Sequence, residues 1–114
     1  MPSSLTTNQA LYVGQSLVSP NGRFDLTLQS DGNLVLYGPG AAPLWSSNTH
    51  GQYAVQDVVM QADGNLVMYD NSGHPLWNSG SARPDAISPF VQIQDDGNLV
   101  VYATHSLWST NTHT

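Results

Sequence analysis

A chain of 114 residues with no cysteine, Arg23 and Arg83 as its only basic side chains apart from histidine, and a net charge of −6 is sized for one domain around one core. About two-thirds of the unfolded chain's surface is buried on folding at this size, so metal or disulfide staples are not needed, and disulfides and thiolate zinc sites are excluded outright. The acidity argues against phosphate backbones and anionic lipid, so neither nucleic acid nor membrane insertion is expected, and no run of about 18 apolar residues is present to span a bilayer.

Met1-Pro2-Ser3-Ser4 has no basic n-region and no apolar h-region. A cleavable signal peptide is therefore not expected in the chain as given, and its location stays open between the cytoplasm and secretion by another route. No apolar residues recur at i, i+3, i+4 over two turns, and Gly and Pro punctuate throughout. Alternation with turn residues every 8 to 12 positions reads as all-β. The chain divides into an arm at about Thr6–Ser16 and three units, Leu17–Asn48, Thr49–Gly80 and Ser81–Thr114. Pro20-Asn21-Gly22, Gly38-Pro39-Gly40, Asn71-Ser72-Gly73 and Gly80–Pro84 serve as turns or connectors.

The units share one string. Gln29–Tyr37 reads QSDGNLVLY, Gln61–Tyr69 reads QADGNLVMY and Gln94–Tyr102 reads QDDGNLVVY, with starts 32 and 33 residues apart. Each is followed by Leu-Trp, at Leu44-Trp45, Leu76-Trp77 and Leu107-Trp108. A constant period means one supersecondary unit built three times, so a site in one unit is expected in all.

The apolar pattern sets the hairpin register. A two-residue loop at Asp31-Gly32 would mix polar and apolar residues on both faces. A three-residue loop, Ser30-Asp31-Gly32, with Gly32 left-handed after a type I turn, makes one face wholly aliphatic. Leu28 then opposes Leu34 and Leu26 opposes Leu36. The same register sets Met60 against Leu66, Val58 against Met68, Ile93 against Leu99 and Val91 against Val101.

The opposite face carries Gln29 beside Asn33, then Val35 and Tyr37, with Asp31 at the tip. Asn33 to Tyr37 covers roughly 13 Å of strand. Side chains leaning in from both ends form a shallow notch the width of a sugar ring, with polar rims and an apolar floor. Asp31 accepts, Asn33 and Gln29 each donate and accept, and the Tyr37 hydroxyl does either. That set suits a neutral polyol, as does a chain poor in ions and rich in Asn, Gln, Ser and Thr. Turn and strand propensity account for Asp31, Gly32 and Val35. They do not account for Gln and Tyr recurring at the two ends of every copy.

Gln-x-Asp-x-Asn-x-Val-x-Tyr, three times, resembles the mannose-binding signature of the monocot bulb-type (snowdrop-lectin-like) lectins over nearly the whole chain. Leu11–Leu17 looks like the family's opening strand and Trp108–Thr114 like its closing one. The resemblance implies a β-prism II, three four-stranded antiparallel sheets around a pseudo-threefold axis, with Trp45, Trp77 and Trp108 near that axis. It implies that Asp31 and Asn33 hold the axial 2-hydroxyl of mannose, Gln29 the 3-hydroxyl and Tyr37 the 4-hydroxyl, with Val35 against ring carbons. Gln61, Asp63, Asn65, Val67 and Tyr69 correspond in the second copy, and Gln94, Asp96, Asn98, Val100 and Tyr102 in the third.

No cofactor is implied. Plant members usually carry a disulfide whose cysteines would fall at Gly32 and Gln56; both are absent, so a plant-secretory origin does not transfer. The third unit is two residues shorter between Tyr102 and Trp108, which alters the wall of its site. A single shallow site is expected to be weak, a millimolar constant being about −4 kcal/mol. Avidity is expected from several sites on a branched glycan. By resemblance, Leu107–Thr114 is a strand that two copies exchange to form a homodimer; a monomer folding that strand back is the competing expectation.

An enzyme is not expected. A glycosidase needs two carboxylates roughly 5 to 10 Å apart. Asp25 lies opposite Tyr37, roughly 20 Å along the strand from Asp31, and the third unit has Phe90 at the position of Asp25 and Asp57. A calcium loop lacks ligands, since only Asp95-Asp96 doubles the tip carboxylate. His50, His74, His105 and His113 have no ligand spacing and read as surface residues. The rival to the lectin reading is a structural or toxin-like protein-interaction prism with vestigial sugar sites.

Overall fold

The structure, a computed structural model, describes residues 2–103 and 106–112. His105, His113 and Thr114 lie outside the described residues, as does part of the segment expected to exchange. Three short strands come from the N-terminal segment: β1 (Ser4–Leu5), β2 (Ala10–Tyr12) and β3 (Ser16–Val18). The first unit supplies β4 (Asp25–Leu28), β5 (Leu34–Tyr37) and β6 (Pro43–Ser46). The second supplies β7 (Val55–Met60), β8 (Leu66–Asp70) and β9 (Pro75–Asn78), and the third β10 (Phe90–Ile93), β11 (Leu99–Tyr102) and β12 (Ser106–Ser109).

They form three four-stranded antiparallel sheets, ordered β3-β4-β5-β6, β2-β7-β8-β9 and β1-β10-β11-β12. The opening segment Leu11–Leu17 is therefore not one strand. It breaks after Tyr12, turns at Gly14 (φ +84°), and sends its two halves to different sheets. Leu5, Leu11 and Leu17, six residues apart, each enter the core from the outer strand of a different sheet.

The hairpin register is the expected one. Leu28 opposes Leu34 and Leu26 opposes Leu36; Met60 opposes Leu66 and Val58 opposes Met68; Ile93 opposes Leu99 and Val91 opposes Val101. All twelve side chains are almost fully buried, the aliphatic back face of each hairpin being turned to the shared interior. Gly32, Gly64 and Gly97 take φ of +88°, +91° and +87°, the left-handed position that the three-residue loop requires and that only glycine adopts without steric cost.

Each fourth strand adds a tryptophan inward, Trp45 opposite Leu36, Trp77 opposite Met68 and Trp108 opposite Val101. The three rings meet edge to face, with centroids 5.5, 5.7 and 5.8 Å apart. The arrangement joins the three sheets at one point, and each such pair is worth about 0.5–1.5 kcal/mol beyond the area it buries. The ladder skips one residue before each tryptophan, at Leu44, Leu76 and Leu107, opposite the start of the site tyrosine. Such bulges re-aim neighbouring side chains.

Candidate functional site

On the outward face the notch forms on all three hairpins. Asp31 Oδ1 accepts the Asn33 backbone N–H at 2.9 Å, Asp63 that of Asn65 at 2.9 Å and Asp96 that of Asn98 at 3.0 Å. This aspartate turn holds the carboxylate beside the asparagine. Gln29 Nε2 donates to Tyr37 Oη across 2.5 Å, and Gln61 and Gln94 make the same bond to Tyr69 and Tyr102. Gln and Tyr tips thus converge over the valine, and the notch is narrower than the 13 Å of strand beneath it. Val35, Val67 and Val100 are 5%, 5% and 3% exposed, an almost fully buried apolar floor. Among the described residues no enclosed cavity exists; the sites are surface features.

Two further side chains per site had no place in the sequence reading. Ser47 Oγ donates to Asn33 Oδ1 at 3.3 Å, and Thr49 N donates to the same oxygen at 3.2 Å. Ser79 and Ser81 repeat this on Asn65 at 3.2 and 3.3 Å, Thr110 and Thr112 on Asn98 at 3.0 and 3.1 Å. The first hydroxyl of each pair also accepts a strand amide, from Leu34, Leu66 or Leu99, and the second donates to the turn glycine's carbonyl. The residue between them is left-handed, Asn48 at φ +58°, Gly80 at +68° and Asn111 at +57°, and Asn and Gly are the types that tolerate this. The available signal was hydroxyl–(Asn or Gly)–hydroxyl beginning two residues after every Trp.

The clamp changes the chemistry of the asparagine. Its oxygen is committed to the scaffold, so Asn33, Asn65 and Asn98 present donors only, and the expectation that they also accept is corrected. Gln29 keeps its Oε1 as an acceptor, Asp31 its second oxygen, and Tyr37 its hydroxyl proton, because that oxygen already accepts from Gln29. Acceptor and donor groups therefore alternate around an apolar floor.

The hairpin tips are held by the loop preceding the next sheet's inner strand. Asp31 O accepts Gly51 N at 2.8 Å and Gln52 N at 3.0 Å, and Asp63 O accepts Arg83 N at 2.7 Å. Asn21, from the first unit, closes the ring by donating its backbone N–H to Asp95 Oδ1 at 2.7 Å and its side-chain amide to Asp95 O at 3.1 Å. Among the described residues no three metal-ligating side chains gather. His50 and His74 are exposed, and His74 N and Ser72 N hold the Asp70 carboxyl below its ordinary pKa from within an exposed turn.

Comparison with known proteins agrees with this geometry. A lectin from Marasmius oreades is 34% identical, with 98% of this chain and 92% of that one covered, at a TM-score of 0.87. The chain belongs to the bulb-type lectin family. A monomeric monocot mannose-binding lectin from Gastrodia elata is 32% identical over 98% of this chain and 99% of that one, TM-score 0.88. The mannose-specific snowdrop (Galanthus nivalis) agglutinin, solved with methyl-α-D-mannoside, is 36% identical over 98% of each chain, TM-score 0.79. The B-type lectin plumieribetin from Scorpaena plumieri is 46% identical over 52 residues, a match spanning 46% of this chain and 44% of that protein. No protein-family model matches. The fold is the β-prism II of these lectins, a family without catalytic activity.

Within this bulb-type lectin the three notches differ at their flanks. The residues paired with the floor valine are Thr27 and Ser46 in the first, Val59 and Asn78 in the second, and Gln92 and Ser109 in the third. The residue paired with the site tyrosine is Asp25, Asp57 or Phe90. The two missing residues of the third unit fall in the loop after Tyr102, whose remainder before β12 is described only at Ala103.

Proposed function

We propose that the chain binds mannose-terminated glycans through its three Gln-x-Asp-x-Asn-x-Val-x-Tyr notches. The observation that carries this reading is the clamped asparagine, its oxygen bonded to the scaffold and its amide left to donate, repeated beside an acceptor carboxylate on every hairpin. The donor and the acceptor would share one axial hydroxyl, as the 2-hydroxyl of mannose offers and glucose does not. Gln29 and Tyr37 would take the 3- and 4-hydroxyls and Val35 the ring carbons, with the corresponding residues in the other copies. The mannose-binding lectin of Gastrodia elata and the mannose-specific snowdrop agglutinin support the sugar class.

Each notch is shallow, so affinity per site is expected in the millimolar range, about −4 kcal/mol. Strength on a cell surface would come from several sites engaged together, a gain of about 10² to 10⁴. For assembly the proposal is a homodimer that exchanges β12. In a single chain β12 completes its own sheet, pairing Val100 with Ser109 and Val101 with Trp108, so exchange replaces one copy's strand by the other's in the same register. Light scattering decides between dimer and monomer.

The test of function is a glycan array followed by titration with methyl α-mannoside. Selectivity for mannose over glucose and galactose is expected, with up to three sites per chain. Simultaneous Asn33→Ala, Asn65→Ala and Asn98→Ala should abolish binding; retained binding would sink the site assignment. No binding at millimolar mannoside would leave the prism with vestigial sites as the reading.

A further inference from the structure

Asp25 and Asp57 were the recurrent acids that catalysis did not use. Their surroundings are not alike. In the second sheet Tyr12, Asp57 and Tyr69 are direct partners across β2, β7 and β8, so their side chains stand on one face about 5 Å apart. That is the face of the second notch, since Tyr69 is its tyrosine. Tyr12 is 50% exposed, whereas Asp57 between the two rings is 8% exposed. The Asp57 carboxylate receives no hydrogen bond among the described residues, yet no unpartnered side-chain oxygen is sealed from solvent. An approaching hydroxyl can therefore reach it.

The fold gains little from an aspartate there. Aspartate is a poor strand former, and desolvation raises the Asp57 pKa above its ordinary value. The ladder slips at Gln56, so that Val55 enters the core while Asp57, two residues on, faces outward. In the first sheet the equivalent row is Val18, Asp25 and Tyr37; Asp25 is satisfied by Thr27 Oγ1 at 3.2 Å, itself 2.7 Å from Ser16 Oγ. In the third, Phe90 stacks on Tyr102 at 5.4 Å and 28°. Only the second row joins an exposed aromatic ring to an unpartnered carboxylate.

We propose that the Tyr12–Asp57–Tyr69 row is a second saccharide subsite, taking the neighbouring sugar of an oligosaccharide whose terminal residue occupies the Gln61–Tyr69 notch. The inference rests on the reading of that notch as a sugar site. A carboxylate accepts two hydroxyls through charge-assisted bonds, while the Tyr12 ring offers an apolar face to sugar C–H groups. Two interstrand spacings, roughly 10 Å, accommodate one hexose. The second site would then prefer oligosaccharides over single sugars, and the other two would not share that preference by this route.

The experiment uses the full chain with Asn33→Ala and Asn98→Ala, leaving the second site alone. Calorimetric titration compares methyl α-mannoside with the α1–2, α1–3 and α1–6 mannobiosides. At least one mannobioside is expected to bind about tenfold tighter than the monosaccharide. That ratio should collapse toward one in Tyr12→Ala and, independently, in Asp57→Ala, a change that removes a poorly solvated charge and leaves the fold intact. Equal affinities for all four ligands, or a ratio that survives both substitutions, overturns the subsite while the notch stands. Failure of every mannoside overturns the notch and the subsite with it.

Discussion

Thr49 fixes the Asn33 amide through its main chain and its side chain at once: its N–H donates to Asn33 Oδ1 across 3.2 Å, and its hydroxyl donates to Gly32 O at 2.6 Å. With Ser47 it sets which way the asparagine points before any ligand arrives. Pre-organisation of this kind raises affinity by removing an ordering cost from binding.

Ser47→Ala should therefore weaken sugar binding at the first notch without removing any of the groups proposed to meet the sugar. It removes one of the two bonds that hold the Asn33 oxygen, leaving only the Thr49 N–H, and leaves the Leu34 amide without its acceptor, a loss of about 1–3 kcal/mol in stability. Ser47→Thr should restore binding, because Thr110 fills the same role in the third unit. Titration of the single-site variant before and after the change reads the affinity. A Ser47→Ala protein that binds normally removes the positioning role.

Trp77→Ala should destabilise the whole molecule by about 3–5 kcal/mol, because each ring packs against the other two. Urea unfolding should show a single transition at a lower midpoint. A separate early transition confined to one sheet would mean the three sheets are not coupled through the rings.

Asp57→Asn should stabilise the fold at neutral pH. Burial raises the carboxyl's folded pKa, so the charged form is penalised in the native state. As pH falls through that raised value the native aspartate takes up a proton and the penalty disappears, fully so below the unfolded pKa of about 3.9. The melting-temperature gap between Asn and wild type should be widest near neutrality and close toward acid. A gap that widens on acidification contradicts the assignment.

Gly32→Ala should cost more than Gly97→Ala, although both glycines are left-handed. A Cβ at Gly32 falls 2.4 Å from the Gln52 carbonyl oxygen, which is backbone, whereas at Gly97 it falls 2.6 Å from the Phe24 ring, a side chain whose displacement does not require the main chain to move. The shared backbone strain alone is about 1–2 kcal/mol. Chemical denaturation of the two variants ranks them.

The hairpins were legible because each aliphatic face admits one register, and Gly32, Gly64 and Gly97 mark where the loop must turn. The notch followed, since Gln, Asp, Asn, Val and Tyr alternate along the same strands. The clamp was not read, because Ser47 and Thr49 are common surface residue types whose meaning depends on how β6 lies beside β5. The arm was misjudged for a different reason. Ser4–Gln9 and Ala10–Gln15 are copies of one six-residue turn-and-strand step, with Gln9 and Gln15 each capping an amide three residues back at 2.9 Å. Strands of two or three residues are too short for alternation to register, so pairing with distant partners decides them.

That stepping arm gives the molecule a temporal asymmetry. The sheet containing β3 is contiguous from residue 16 to 46, so it can close on itself soon after it is made. β1 pairs with β10, Ser4 opposite Gln92 and Leu5 opposite Val91, across nearly the whole chain. Long-range closures of this kind are slow, and during synthesis at about 5–20 residues per second the partner emerges several seconds late. Ser4 and Leu5, made long before their partners, are among the last residues to be locked, and until they are, the third sheet keeps the open edge on β10 that β1 later covers.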